Sequence, residues 1–219
     1  MEHDSQSHGM PAIPEIEITT DHISDASREN VVMNRGISAV WSGARIQGAP
    51  IFTVQVPPGD NKSLFEAIDS ASPGDALVVN GNGYLGRSLW GAIMSYAAMK
   101  RGIVGVVVDG LVRDRDDLET MGFPVFARGV TPISPRPRRK GSIGIPIMCG
   151  GLRVSAGDAL FADADGVVVI EQSLRDEVLQ KALERARAED EMFRALQSGG
   201  TMSEVIAQLG NSASTSTSG

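Results

Sequence analysis

Gly105-Val-Val-Val-Asp109-Gly110-Leu-Val-Arg113-Asp114 is the stretch that decides the fold. Ile103 to Val108 is the most apolar and β-branched segment of the chain, so a central place in a sheet is expected for it. Upstream, Ser88 to Arg101 carries helical spacing and stops at Gly102, a residue suited to the left-handed position after a helix. Before that, Ala76-Leu-Val-Val79 follows a Pro73-Gly74-Asp75 turn and reads as a short buried strand. Downstream, about Asp114 to Met121 reads as a helix ending at Gly122, and Val125-Phe-Ala127 as the next strand. Strand, helix, strand, helix, strand from Leu77 to Ala127 implies parallel strands with covering helices.

Further out, Ile51 to Val56 reads as a strand ended by Pro57-Pro58-Gly59, and Ser63 to Ser70 as a helix with Asp60 or Asn61 as its cap. After Ala127 the texture changes. Ile143–Met148, Leu152–Val154, Ala159–Ala162 and Val167–Ile170 are short strand patterns between glycine-rich turns, a more antiparallel, barrel-like set. Ser173 to Gln197 reads as a long helix with Val178, Ala186 and Phe193 on its apolar stripe, and Thr201 to Leu209 as a short one. Residues 1–15 are expected to be a flexible arm and 211–219, almost all Ser, Thr, Ala and Gly, a disordered tail. That leaves 16–210 as one α/β domain.

The chain has 219 residues, 42% hydrophobic and 21% charged, which suits a globular domain with a substantial core. A net charge of -7 argues against nucleic acid as a partner, because phosphate neutralisation needs a concentrated positive face. The one basic run, Arg136-Pro-Arg-Arg-Lys140, has no interleaved aromatic residues and reads as a solvated loop. Cys149 is the sole cysteine, so neither an intrachain disulfide nor a cysteine zinc cage is available. No apolar run is long enough to span a bilayer, and the N-terminus lacks a signal pattern; a cytoplasmic location without a membrane partner is expected.

The valine strand delivers Asp109, a glycine and then Arg113-Asp114 to its carboxyl end, where open α/β sheets bind ligands. Capping of the following helix accounts for Asp114 equally well. Trp90-Gly91-Ala92-Ile93-Met94 lies at the start of the preceding helix, where unpaired backbone N–H groups can receive a carboxylate or phosphate. Close helix packing is the plainer reason for a glycine at that point. One βαβ crossover separates the two motifs, so both can face one crevice. Asp163-Ala-Asp165-Gly166 lacks the further ligands of a calcium loop and reads as a hairpin turn. His3, His8 and His22 do not cluster, and neither a histidine metal site nor a Ser-His-Asp triad is visible.

The pattern Gly91-x5-Ala97-x3-Arg101-Gly102-x2-Gly105-x-Val107-x-Asp109-Gly110-x2-Arg113-Asp114 resembles the family of class II 4-hydroxy-4-methyl-2-oxoglutarate aldolases, which also contains the regulators of ribonuclease activity A. Ile23-Ser-Asp-Ala26, Pro58-Gly-Asp-Asn61, Gly122-Phe-Pro-Val-Phe126 and Ile145 to Gly151 stand in the family's order, and the resemblance covers about residues 18 to 200. It implies a swivelling β/β/α fold, with a parallel βαβ layer, a barrel-like β half and C-terminal helices, assembled as a homotrimer or a hexamer. It implies a divalent-metal-dependent lyase on small 2-keto acids, working by retro-aldol cleavage of 4-hydroxy-2-oxo acids, oxaloacetate decarboxylation, or both. By resemblance, Asp114 would bind Mg²⁺ or Mn²⁺, Arg113 would hydrogen-bond the keto oxygen, and the backbone amides of Gly91, Ala92, Ile93 and Met94 would hold the substrate carboxylate. Glu191 would be the acidic residue that a neighbouring subunit's C-terminal helix contributes. Where the aldolases commonly carry Asp or Glu after the glycine, this chain has Ala92, which puts aldolase activity in doubt and keeps a non-catalytic, ribonuclease-regulator-like binding protein as the alternative.

Overall fold

The computed structural model describes residues 16–207, so the expected arm at 1–15 and tail at 211–219 lie outside the described residues. In chain order the elements are α1 (Thr20–Ala26), β1 (Ser38–Ala39), β2 (Ile46–Gln55), α2 (Lys62–Ser70), β3 (Ala76–Trp90), α3 (Ala92–Lys100), β4 (Gly105–Val112), α4 (Arg115–Met121) and β5 (Val125–Val130). There follow β6 (Ser142–Ile143), β7 (Ile147–Cys149), β8 (Leu152–Val154), β9 (Ala159–Ala162), β10 (Val167–Ile170) and α5 (Arg175–Gln197). Residues 202–207 are helical, within the short helix expected at 201–209, of which residues 208 and 209 are not described.

Strands β2, β3, β4 and β5 are parallel neighbours, with Val78 facing Thr53 on one side and Val107 on the other. Antiparallel β9 and β10 extend this sheet beyond β2, antiparallel β1 extends it beyond β5, and β7 and β8 form a separate hairpin. The βαβ half and the barrel-like half are therefore one swivelling β/β/α body.

Alternation along the central strands explains their uniform valine content. Leu77, Val79, Val106 and Val108 pack against α2, α3 and α4, while Ala76, Val78 and Val107 point the other way, into a core shared with Ile147, Val154, Leu160 and Val167. A strand buried on both faces has no polar side to show. A third cluster seats Val178 and Ala182 of α5 and Ile23 of α1 on Phe161 and Ile170.

The helix expected from Ser88 begins only at Ala92. Ser88 and Trp90 belong to β3, opposite Leu111 and Val112, and both the N–H and the hydroxyl of Ser88 donate to the Ile133 carbonyl at 2.9 Å. The Trp90 ring stacks on Phe123 and its indole N–H donates to Ser95 Oγ at 2.6 Å. The sheet thus claims this backbone first. Strand β3 runs far past Val79 because Asn82 and Gly83, both at positive φ, absorb an irregular register against β4. The strand expected at Ile143–Met148 is two pieces, split at Gly144 (φ 69°) and Pro146, which has no N–H to donate. A 3-10 turn at Gln172–Leu174 precedes α5, so the long helix starts two residues later than its spacing suggests.

Candidate functional site

Strand β4 ends at Val112, and the Arg113 N–H donates to the Trp90 carbonyl at 3.0 Å, which ties the end of β4 to the end of β3. This bond sets Arg113-Asp114 directly over Gly91, where α3 begins. A Cβ added to Gly91 would stand 2.5 Å from Asp114 Oδ2 and 2.9 Å from Arg113 Cγ. The glycine is there because the Arg-Asp pair occupies the space a side chain would need. Its φ of -172° is ordinary extended backbone, so the requirement is steric.

Asp114 holds a left-handed conformation, φ 62° and ψ 41°, at the N-terminus of α4, and its side chain makes no capping bond to that helix. The capping account of Asp114 is therefore wrong for its own helix. The carboxylate turns instead to α3, where Oδ2 accepts the Ala92 N–H at 3.0 Å and lies 3.3 Å from Arg113 Nε. Among the described residues Oδ1 has no protein partner. Of the amides at the start of α3, Ala92's is thus engaged, while those of Ile93 and Met94 have no acceptor among the described residues, as expected for a first turn. Arg113 Nη1 donates to Ser134 Oγ at 3.0 Å.

Arg113 and the start of α3 open on a cavity of about 220 Å³ lined by Asn61, Phe65, Ser88 to Gly91, Ile93, Met94, Arg113 and Pro135, which Asp114 and Ser134 border without lining it. The sequence marks Asn61 only as a candidate cap and as the last residue of Pro58-Gly-Asp-Asn61, and its side chain makes no capping bond. It is 6% exposed; its Nδ2 lies 3.6 Å from Met94 Sδ, and its Oδ1 is buried without a hydrogen-bond partner among the described residues. An orphaned amide oxygen costs stability where it stands and is free to serve a ligand. Ser134 was missed, since loop serines are common.

Other candidates fall elsewhere. Asp109 pairs with Arg128 Nε and accepts the Gly150 N–H at 3.0 Å, a buried tie between the halves of the fold. Cys149 is buried, and burial, followed by the nearby Asp109 charge, pushes its thiol far above the usual range, so it is inert. Asp163 accepts from Thr20 N–H, Thr20 Oγ1 and Asp165 N–H, which makes it the lock of the β9–β10 turn. His22 has no histidine neighbour among the described residues, but its Nε2 meets Glu189 Oε2 at 2.6 Å and joins α1 to α5. Glu191 is exposed on α5 and does not line the Arg113 cavity of its own chain.

A larger cavity, of about 580 Å³, includes Asp158, whose oxygens are taken by the backbone N–H groups of Ser155 and Gln172. It lacks the convergence seen at Gly91. No helix among the described residues is long and apolar enough to cross a membrane.

The RraA-like family model, described as Aldolase/RraA, matches residues 20–169. A protein of Halalkalibacterium halodurans bearing the name "Putative 4-hydroxy-4-methyl-2-oxoglutarate aldolase" is 38% identical over 174 residues, which cover 80% of this chain and 82% of that one. Among solved structures, an uncharacterized protein of Pseudomonas syringae pv. tomato superposes with a TM-score of 0.79 at 29% identity, covering 86% of this chain and 92% of that one. The RNA-processing inhibitor RraA from Thermus thermophilis superposes with a TM-score of 0.64 at 28% identity, covering 70% of this chain and 93% of that one.

Proposed function

The chain belongs to the RraA-like (Aldolase/RraA) family, and from that premise we propose that it is a divalent-metal-dependent lyase that releases pyruvate from small 2-keto acids. One observation carries the reading: a guanidinium, a carboxylate and a helix N-terminus converge within contact distance of Gly91, beside a cavity of about 220 Å³. Relatives bearing the name of a 4-hydroxy-4-methyl-2-oxoglutarate aldolase support it.

The donor set fits a hard cation. Asp114 offers one oxygen without a protein partner, no thiol or imidazole lines the cavity, and Mg²⁺ or Mn²⁺ is commonly held through one or two carboxylates with water completing the shell. Held at Asp114, the ion would supply Lewis-acid stabilisation of charge on the keto oxygen. Arg113, kept in place by Ser134 Oγ, donates to that same oxygen as an enolate develops when the C–C bond breaks. The open amides of Ile93 and Met94 hold the substrate carboxylate, with those of Gly91 and Ala92 completing the turn, and Asn61 lends its free amide oxygen to a hydroxyl.

Retro-aldol cleavage needs a base for the C4 hydroxyl, whereas decarboxylation of oxaloacetate does not. Ala92 supplies no base, so decarboxylation is the better-served reaction unless an acid such as Glu191 arrives from a neighbouring subunit. The apolar outer face of α3, with Ile93 80% and Tyr96 61% exposed beside the cavity, supports assembly into trimers or hexamers.

A coupled pyruvate assay over a panel of 2-keto acids, with and without Mg²⁺ or Mn²⁺, tests the proposal. Turnover is expected only with metal, and Asp114→Ala is expected to abolish it; unchanged turnover in that variant sinks the reading. The absent carboxylate at Ala92 favours a second reading, a non-catalytic regulator of a ribonuclease. A pull-down in which no ribonuclease or helicase co-purifies removes it.

A further inference from the structure

We propose that Arg87, Arg136, Arg138 and Arg139 form a second anion subsite, which takes the distal carboxylate of a dicarboxylic 2-keto acid whose keto-acid head lies at Arg113. This rests on the lyase reading and adds to it the residues that select the substrate's far end.

The four arginines, with Tyr84 and the 58–60 turn, line a cavity of about 370 Å³. None of the four has an ion-pair partner among the described residues, whereas neighbouring Lys140 is paired with Glu66, and Arg113 with Asp114. The one carboxylate in the cavity, Asp60, is 2% exposed and already engaged: Oδ2 accepts the N–H groups of Arg138 and Arg139 at 2.9 and 2.7 Å, and Oδ1 that of Lys62 at 3.0 Å. Its charge fixes the backbone of the arginine loop. Of the guanidinium groups, Arg87's donates to the Ser134 carbonyl and Arg139's to the Pro58 carbonyl at 3.4 Å, neutral acceptors that leave their charge unanswered. In a chain of net charge -7, such a concentration of unpaired cations is a specific local field, and arginine forks suit a carboxylate in two-point contact.

Placement ties this basin to the catalytic cavity. Ser134 is gripped from both sides: its carbonyl accepts Arg87 Nη1 at 2.8 Å and its hydroxyl accepts Arg113 Nη1 at 3.0 Å. Covalent geometry keeps a serine's two oxygens a few ångström apart, so the two guanidinium groups lie within roughly 10 Å, a span that a five- or six-carbon diacid bridges with a hydrogen bond at each end. The two cavities share no lining residue, but three residues of one are chain neighbours of three of the other: Asn61 and Asp60, Ser88 and Arg87, Pro135 and Arg136. Gly59, at φ 71°, keeps the floor low; a Cβ there would stand 3.0 Å from the Tyr84 ring and 3.3 Å from Arg87 Cδ.

The matched pair 2-oxoglutarate and 2-oxopentanoate shares head and chain length and differs in the distal charge. Isothermal titration of each, with Mg²⁺ present, is expected to show 2-oxoglutarate bound about tenfold more tightly by the wild type, the effect of charge-assisted bonds at a partly exposed rim. Arg136→Gln combined with Arg138→Gln, neither of whose side chains touches Ser134 or Arg113, is expected to erase the preference and leave 2-oxopentanoate affinity unchanged, while Arg136→Lys combined with Arg138→Lys, which keeps the charge, retains part of it. A preference that survives the double variant, an equal loss of both ligands, or a wild type without preference overturns the proposal. Asp114→Asn separates the two levels. If it leaves both affinities unchanged, the head does not sit at Asp114 and the lyase reading falls, while an arginine-dependent preference still stands.

Discussion

Gly91→Ala adds one methyl group at the point where the candidate site converges, and nowhere else. The backbone tolerates it, since φ is -172°. The new Cβ would lie 2.5 Å from Asp114 Oδ2, where ordinary contact begins at 3.4 Å, and 2.9 Å from Arg113 Cγ. Neither neighbour is the loose end of a flexible chain: Asp114 is bound to the Ala92 N–H, and the Arg113 backbone to Trp90. The carboxylate must therefore retreat by about 1 Å, and a misplacement of that size costs on the order of 10²-fold in rate. That corresponds to about 2.7 kcal/mol of transition-state stabilisation. Fold stability should suffer far less, because alanine for glycine at a helix N-cap costs at most about 1 kcal/mol. For a domain of this size that lowers Tm by about 2–4 °C. The assay is coupled pyruvate release at saturating metal, with Tm by circular dichroism on the same preparation. A kcat/KM within about threefold of wild type would mean that the convergence at Gly91 is not the reacting geometry. A drop in Tm beyond about 10 °C would mean that the glycine serves folding instead.

Two further outcomes are expected. Ala92→Asp restores a carboxylate at the first position of α3 and should raise retro-aldol turnover more than oxaloacetate decarboxylation, measured side by side; equal effects on both reactions would remove the proton-transfer role from that position. Burial works against ionisation of Asp60, but the N–H groups of Arg139, Lys62 and Arg138 outweigh it and hold its pKa below the ordinary 3.8. A depressed folded-state pKa contributes stability above the unfolded value and loses it as pH falls through the folded one. Asp60→Asn should therefore lower the urea midpoint at pH 7, with the gap to wild type closing below about pH 3.8; a gap independent of pH would refute the assignment.

The fold was legible wherever one physical requirement governed a run of residues. The valines of β4, Gly102 and Gly122 at helix ends, and the 163–166 turn each satisfy a local demand, and the structure places them as the sequence suggests. Boundaries set by distant partners were not legible. Ser88 to Trp90 have helical spacing, yet Ile133, Phe123 and Leu111 hold them in the sheet, and nothing within ten residues announces those partners. The site divides along the same line. Gly91 and Arg113-Asp114 could be joined through one βαβ crossover, a short-range rule. Asn61 and Ser134 enter from loops far away in sequence, and only folding shows that the first lines the cavity with Arg113 and the second accepts a hydrogen bond from it.

Two features of the cavity run against fold stability. Asp114 sits at φ 62°, a conformation that costs a non-glycine residue roughly 1 kcal/mol or more and that glycine would adopt freely. Asn61 keeps a buried oxygen without a partner among the described residues, worth about 1–3 kcal/mol of lost solvation, where a leucine of similar volume would leave nothing unsatisfied. A surface that only docks another protein has no use for a strained carboxylate at Asp114. Both costs fall on groups that line or border a space sized for a small molecule, beside a guanidinium and a helix N-terminus. Strain and a buried polar atom concentrated beside one small cavity accord with the small-molecule site proposed above. That distribution of costs is the physical reason to prefer the lyase over the regulator, even with alanine at position 92.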